Sequence, residues 1–245
     1  MRVFVLCAGI VISATAPALA QPKPARGFLS LNAGGSAPAA ALSDRFEFRA
    51  NVETATVAVR YPVRAAVTFE AGGGITLWRR LGVGIAVSRM TSGGAAEVTA
   101  SIPHPFFFDR ARTVEGEQRD ITRAENAAHL QLLYSLPASG RWRVVLSAGP
   151  TFVSVERELV TDLHYDETYP FDEATFRAGP TRRAKGSAVG ANGAIDIRWM
   201  RGRHFGLGGL LRYSHAPADL DTVDNRRLRV KTGGLQAGAG LRIAF

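Results

Sequence analysis

Histidine, serine and clustered carboxylates are the residue types in this chain that could do chemistry, and their spacing limits what that chemistry is. The histidines are His104, His129, His164, His204 and His215. Only His129 falls mid-strand on the polar face of an alternating segment, with Ser135 on the same face. At ~3.3 Å per residue the two are roughly 20 Å apart, too far for a Ser–His nucleophile pair within one strand. Lipid-hydrolysing or proteolytic chemistry would need a partner from a neighbouring strand, and a core histidine bonded to a polar neighbour is the plainer expectation. Between 160 and 186, Asp162, His164, Asp166, Glu167, Asp172 and Glu173 alternate with Tyr165, Tyr169 and Phe171. These carboxylates lack the fixed spacing of an EF-hand loop and read as a solvated acidic loop. No catalytic residue, metal site or cofactor is assigned, and the chain is expected not to be an enzyme.

The elements that position these residues are strands. Val67, Phe69, Ala71, Gly73, Ile75 and Leu77 alternate with Thr68, Glu70, Gly72, Gly74, Thr76 and Trp78, and the same period of two recurs to the end of the chain. Each such segment has one apolar and one polar or small face, the pattern of a half-buried strand. Strands are expected near 66–78, 82–101, 126–136, 142–158, 187–199, 204–215 and 228–245. Residues 27–35 and 46–61 compete for one more; the choice is 27–35 as first strand, with 46–61 as a hairpin-like extension of the first outer loop. Ten strands would require one that has been missed.

Short turns fall at 79–80, 137–141 and 200–204, whereas long polar loops are expected at about 103–125, 160–186 and 216–227. Short turns on one side and long loops on the other mark a transmembrane barrel, in which the apolar faces meet lipid. Trp78, Trp142 and Trp199 abut short turns, and Phe205 and Phe245 belong to the same end. Amphipathic rings prefer the lipid–water interface, so these five are the expected interface aromatics. The opposite faces then bring Glu70, Arg143, Asp196, Arg198, Arg212 and Arg242 into a narrow lumen. Buried charges must pair, so an ionic network that plugs the lumen is expected, with Gly72, Gly74, Gly206, Gly208, Gly238 and Gly240 leaving room for the arginines. Phe106, Phe107 and Phe108 must be covered, either on the barrel rim or in the outer leaflet, or by an adhesive partner.

Residues 1–20 begin Met-Arg, continue apolar to Ala14 and end Ala18-Leu19-Ala20, as a cleaved secretory signal does. A short segment, 21–26, would precede a barrel domain at 27–245. The one cysteine, Cys7, lies in the signal, so the exported chain would hold no disulfide. The chain carries 30 Lys+Arg against 21 Asp+Glu. With basic residues scattered singly, the expected counter-charge is lipid or lipopolysaccharide phosphate, not nucleic acid. A mean hydropathy of +0.01 fits alternating faces that cancel.

The segment Leu77-Trp-Arg-Arg-Leu-Gly-Val-Gly-Ile85, the Gly-rich alternation and the ending Gly238-Ala-Gly-Leu-Arg-Ile-Ala-Phe245 resemble Gram-negative outer-membrane β-barrel proteins of the small eight-stranded OmpA-like and opacity-protein type. The resemblance implies a closed antiparallel up-and-down barrel in the outer membrane. It also implies contact with the outer-membrane assembly machinery through the last strand and Phe245. Its expected role is membrane-structural or surface-interactive, as a monomer. A narrow anion-preferring channel, a lipid-acting enzyme and a soluble lipocalin-like barrel are the other readings.

Overall fold

The computed structural model describes residues 26–38, 40–62, 64–137, 140–221 and 227–245. The expected signal and the segment through Ala25 lie outside these residues. Twelve strands follow in chain order: β1 (Gly27–Pro38), β2 (Leu42–Ala50), β3 (Glu53–Tyr61), β4 (Ala66–Trp78), β5 (Leu81–Pro103), β6 (Ala111–Ser135), β7 (Trp142–Val160), β8 (His164–Glu167), β9 (Ala174–Arg177), β10 (Thr181–Met200), β11 (Phe205–Asp221) and β12 (Arg227–Ala244).

Eight of them close a ring, β1–β12–β11–β10–β7–β6–β5–β4 and back to β1, every pair antiparallel. Stepping between register partners leads from Tyr134 through Leu146, Ile195, Leu211, Ala237, Gly35, Val67 and Thr91 to Ala124, ten residues along the starting strand. An even stagger keeps each residue on the same face after a full circuit. An eight-stranded barrel of this kind has an interior just wide enough for side chains.

The lower part of the ring exposes an apolar belt. Leu31, Phe69, Ile85, Leu132, Ile197, Leu207 and Leu241 all point outward and are exposed. Inward stand Ser30, Asn32, Glu70, Ser88, His129, Thr151, Asn192, Asp196, Arg212 and Arg242, all buried. This is the polarity of a protein whose outer solvent is hydrocarbon.

Above the belt the strands do not give way to loops. β5 continues to Pro103, β6 begins at Ala111, β10 begins at Thr181 and β11 reaches Asp221. The three long loops expected from the sequence are therefore mostly strand. Their residues looked polar because the apolar side now faces inward. Val57, Val59, Tyr61, Val98, Ile102, Val114, Val155, Leu159, Ala218 and Leu220 form one buried cluster, with Phe46, Phe48 and Phe176 packed against it. Long segments are extracellular in this class, so the cluster is the core of an extracellular head. The segment 46–61 splits between β2 and β3, a hairpin that docks on β5 above the start of β4. The β8–β9 hairpin packs beside β6, where a Cβ at Gly116 would collide with the Phe176 ring.

Candidate functional site

The charged lumen residues form a chain of contacts across five strands. Arg212 donates to both Glu70 oxygens, at 2.5 and 3.3 Å. Asn32 donates to Glu70 at 3.4 Å and accepts from Arg242 at 2.8 Å. Arg242 also donates to Asp196 Oδ1 from Nε and Nη2, at 3.1 and 2.8 Å, while Arg198 Nε donates to Asp196 Oδ2 at 2.7 Å. The Arg198 guanidinium lies 3.6 Å from the Phe28 ring centroid. A Cβ at Gly208 would stand 2.8 Å from Arg242 Nε, so this inward glycine makes the space that the guanidinium fills. Arg143 is different. It is the register partner of Arg198, but it sits exposed at the short-turn mouth and has no ion pair among the described residues. The sixth member of the expected network is thus a rim residue, one position from the start of β7 at the short-turn end.

His129 is fully buried between Ser88 and Thr151, its Nε2 3.2 Å from Ser88 Oγ and its Nδ1 2.8 Å from Thr151 Oγ1. The nearby serine is on β5, as a pairing across strands requires, while Ser135 is far along β6. All three side chains are buried inside the wall, so the contact links strands and offers no approach to a substrate.

Of the interface aromatics, Trp78, Trp142, Phe205 and Phe245 are exposed at the short-turn end, and Trp199 pairs in register with Trp142. Phe245 closes the barrel by exchanging backbone hydrogen bonds with Gly27.

At the opposite end, the tip of β5–β6 meets the tip of β8–β9. Arg112, buried, makes the joint. It donates to the carbonyls of Phe171 (2.8 Å) and Pro103 (3.0 Å), and pairs with Glu167 at 2.7 Å. Arg110 pairs with Asp172 at 2.9 Å and lies over the Phe107 ring. Asp166 pairs with Arg177 at 3.2 Å, so the carboxylates of the expected acidic loop face arginines. His104 is buried beneath this frame, its Nδ1 accepting from the Phe106 N–H and its ring 4.9 Å from that of Phe107. Tyr165 is pushed above its ordinary pKa by burial and then by Glu167.

Held on this frame, Phe106, Phe107, Phe108 and Tyr169 are 66%, 55%, 77% and 82% exposed, and Phe171 stacks edge-on to both Phe106 and Tyr169. The phenylalanines cover neither the barrel rim nor the outer leaflet. They stand roughly 50 Å of strand beyond Val87, the last apolar outward residue of β5. Arg112 and Tyr169 were invisible as site residues because their segments read as unstructured loops.

A closed eight-stranded ring, an apolar belt and aromatic residues at its short-turn rim make the chain an outer-membrane β-barrel. It matches no protein-family model and no curated protein. Its backbone is similar to that of the outer membrane protein OprG from Pseudomonas aeruginosa, at TM-score 0.47 and 8% identity over 91% of this chain and 97% of that one. Neisserial surface protein A is similar at TM-score 0.44 and 11% identity, over 89% and 97%. The outer membrane protease OmpT from Escherichia coli is similar at TM-score 0.47 and 11% identity, over 91% and 97%.

Proposed function

We propose that this barrel is a non-catalytic surface-interaction protein whose working part is the aromatic apex of its extracellular head. The observation that carries the reading is the set of four exposed aromatic rings at the point farthest from the membrane, braced by a buried arginine. Large rigid rings beside arginines are the residues that dominate protein–protein contacts, and a soluble tip gains nothing from exposing them otherwise. The partner is a protein surface outside the cell. The lumen-crossing chain of ion pairs supports a barrel that does not conduct. In this reading the exported chain has lost residues 1–20, its belt meets outer-membrane lipid and lipopolysaccharide, and the strand ending at Phe245 engages the assembly machinery. The protein works as a monomer.

The test is adhesion of bacteria displaying the protein to immobilised host-cell monolayers. The substitution F106S/F107S/F108S with Y169S should lower adhesion on the order of tenfold, as loss of one or more hot spots does. The heat-dependent gel shift of the folded barrel should stay unchanged. Equal adhesion of the variant and the parent, or of the parent and a strain lacking the protein, would sink the reading.

A further inference from the structure

The wall of the head has a seam. β12 keeps β1 beside it only as far as the pair Pro38–Gly234; beyond that, its residues 227–233 pair, among the described residues, with β11 alone. Among the described residues β2, which continues β1 upward, pairs only with β3. Gly233 and Gly234 adopt φ of 86° and 127° where the two strands part, a conformation that L side chains rarely take.

A cavity of about 270 Å³ opens in this seam. Leu42, Val155 and Leu220 form an apolar side, and Arg123, Arg157, Arg229 and Lys231 a cationic one. No carboxylate lines it among the described residues. Arg123 is engaged by Glu125, and Arg229 lies 3.4 Å from Asp219. Arg157 has no ion pair among the described residues, and the carboxylate that acts on it, Glu125, is already engaged by Arg123 and by the Gly233 N–H. It is 9% exposed, its guanidinium sits 4.7 Å from the Tyr61 ring centroid, and its buried Nε has no hydrogen-bond partner among the described residues. Burial, and then Arg123 beside it, draw its pKa down to about 10. A desolvated guanidinium that shares the Glu125 carboxylate with Arg123 is left short of negative charge, which a bound anion would supply.

The mouth fixes what that something is. On β12 the last outward apolar residue is Leu235, and Lys231 and Arg229 are exposed outward positions just above it, at the level of lipid headgroups. A cavity with a cationic half and an apolar half, opening sideways at that level, suits a molecule with the same two halves.

We propose that the seam between β2 and β12 binds a phosphate-bearing amphiphile. Its phosphoryl oxygens take the guanidinium fork of Arg157 with Lys231 at the mouth, and its alkyl part lies on Leu42, Val155 and Leu220. Guanidinium recognises phosphate bidentately, and the other cations around the cavity match a group that carries more than one negative charge.

Calorimetric titration of the full barrel in zwitterionic micelles tests this, with dodecyl phosphate and inorganic phosphate as separate probes. Dodecyl phosphate should bind saturably and inorganic phosphate on the order of tenfold or more weaker. R157M should weaken dodecyl phosphate binding by a similar factor, the usual loss for a charged hydrogen bond, and R229Q/K231Q should weaken it less. A41W leaves every charge in place and fills the cavity; it should abolish saturable binding. The gel shift on heating confirms that each variant is folded. No saturable binding of dodecyl phosphate, or binding unchanged in both R157M and A41W, overturns the site. Equal affinity for both probes makes it a bare-anion site and overturns the amphiphile.

Discussion

Along β5 one unbroken alternation serves two opposite solvents. Below, Leu81, Val83, Ile85 and Val87 point out while Gly82, Ala86 and Ser88 point in. Above, Arg89, Thr91, Glu97 and Thr99 point out while Met90, Ala96, Val98, Ala100 and Ile102 point in. Neither the period nor the phase changes; only the outer medium does. In hydrocarbon, burying apolar side chains inside the lumen brings no gain over leaving them in lipid, so the interior is free to hold ion pairs and must satisfy them. In water the apolar side must turn inward, and the head is held by hydrophobic burial. The two regions should therefore fail differently.

The largest effect is expected in the lumen. Asp196→Leu leaves Arg198 and Arg242 buried without their carboxylate, which should cost about 3–5 kcal/mol. Ile102→Ala in the head core should cost about 2–5 kcal/mol, but locally. Urea titration of the gel-shifted folded band reads the barrel, and limited proteolysis reads the head. The contrast breaks if D196L leaves the urea midpoint unmoved or if I102A abolishes the gel shift.

Outward charges probe the same boundary from the other side. Leu132→Arg places a cation mid-belt and should cost about 2–4 kcal/mol, whereas Thr99→Arg on the head should stay within about 0.5 kcal/mol. Comparable penalties at the two positions would mean that the belt does not end near Val87.

What was legible in the sequence follows from this inversion. The alternation located all eight ring strands, and the lumen residues Glu70, Asp196, Arg198, Arg212 and Arg242 were readable because polar residues opposite an apolar face have one place to go. The extensions of β5, β7 and β12 were read nearly to their ends, but those of β6, β10 and β11 were not. Residues 181–186 still alternate on the lipid phase of β10, but Arg183 and Lys185 occupy it. In 111–125 the irregular β5–β6 register opposite Gly94 and Ala96 moves the outward phase from the even positions of Leu130 and Leu132 to the odd positions of Thr113, Glu115 and Glu117, which breaks a single period-two reading. The signal that could have found the head is the swap itself, with Val98, Ala100 and Ile102 on the phase that Gly82 and Gly84 occupy below. The seam was beyond reach, since it depends on which strand stands next to β12 above Gly234. Arg143 was misplaced because phase does not say how near the mouth a residue lies: it is the second residue of β7 and is exposed, although its register partner Arg198 is buried.

Tyr61 offers a titration of the head. Burial pushes its pKa up to about 12, with its OH accepting from the Val160 N–H at 2.9 Å. A group whose folded pKa is raised contributes stability that is fully present below the unfolded pKa of 10 and is lost as pH rises through about 12. The head should accordingly lose on the order of 3 kcal/mol between those limits, seen as rising protease sensitivity. Y61F should flatten that limb. An alkaline limb that is unchanged in Y61F assigns it to another group.

The smallest effect concerns an ion pair of the same chemistry as the lumen's, placed in water. Lys185 Nζ lies 2.7 Å from Glu156, both on the outer face of the head, and this bond holds the Glu156 pKa below its ordinary value. The pair contributes stability above that ordinary value, and the contribution fades as pH falls through the folded one. Because the Lys185 side chain is 67% exposed, solvent screens the pair, and K185A should move head stability by no more than about 0.5 kcal/mol, less still in high salt. Asp196 and Arg242 are 2.8 Å apart, a nearly equal distance, yet D196L is expected to cost several times more. The difference is not the attraction between the charges but the absence of water to take back the one left behind. If K185A and D196L proved equally mild, the lumen would have to be hydrated, and the inversion of media along β5 would no longer explain why the two regions are built oppositely.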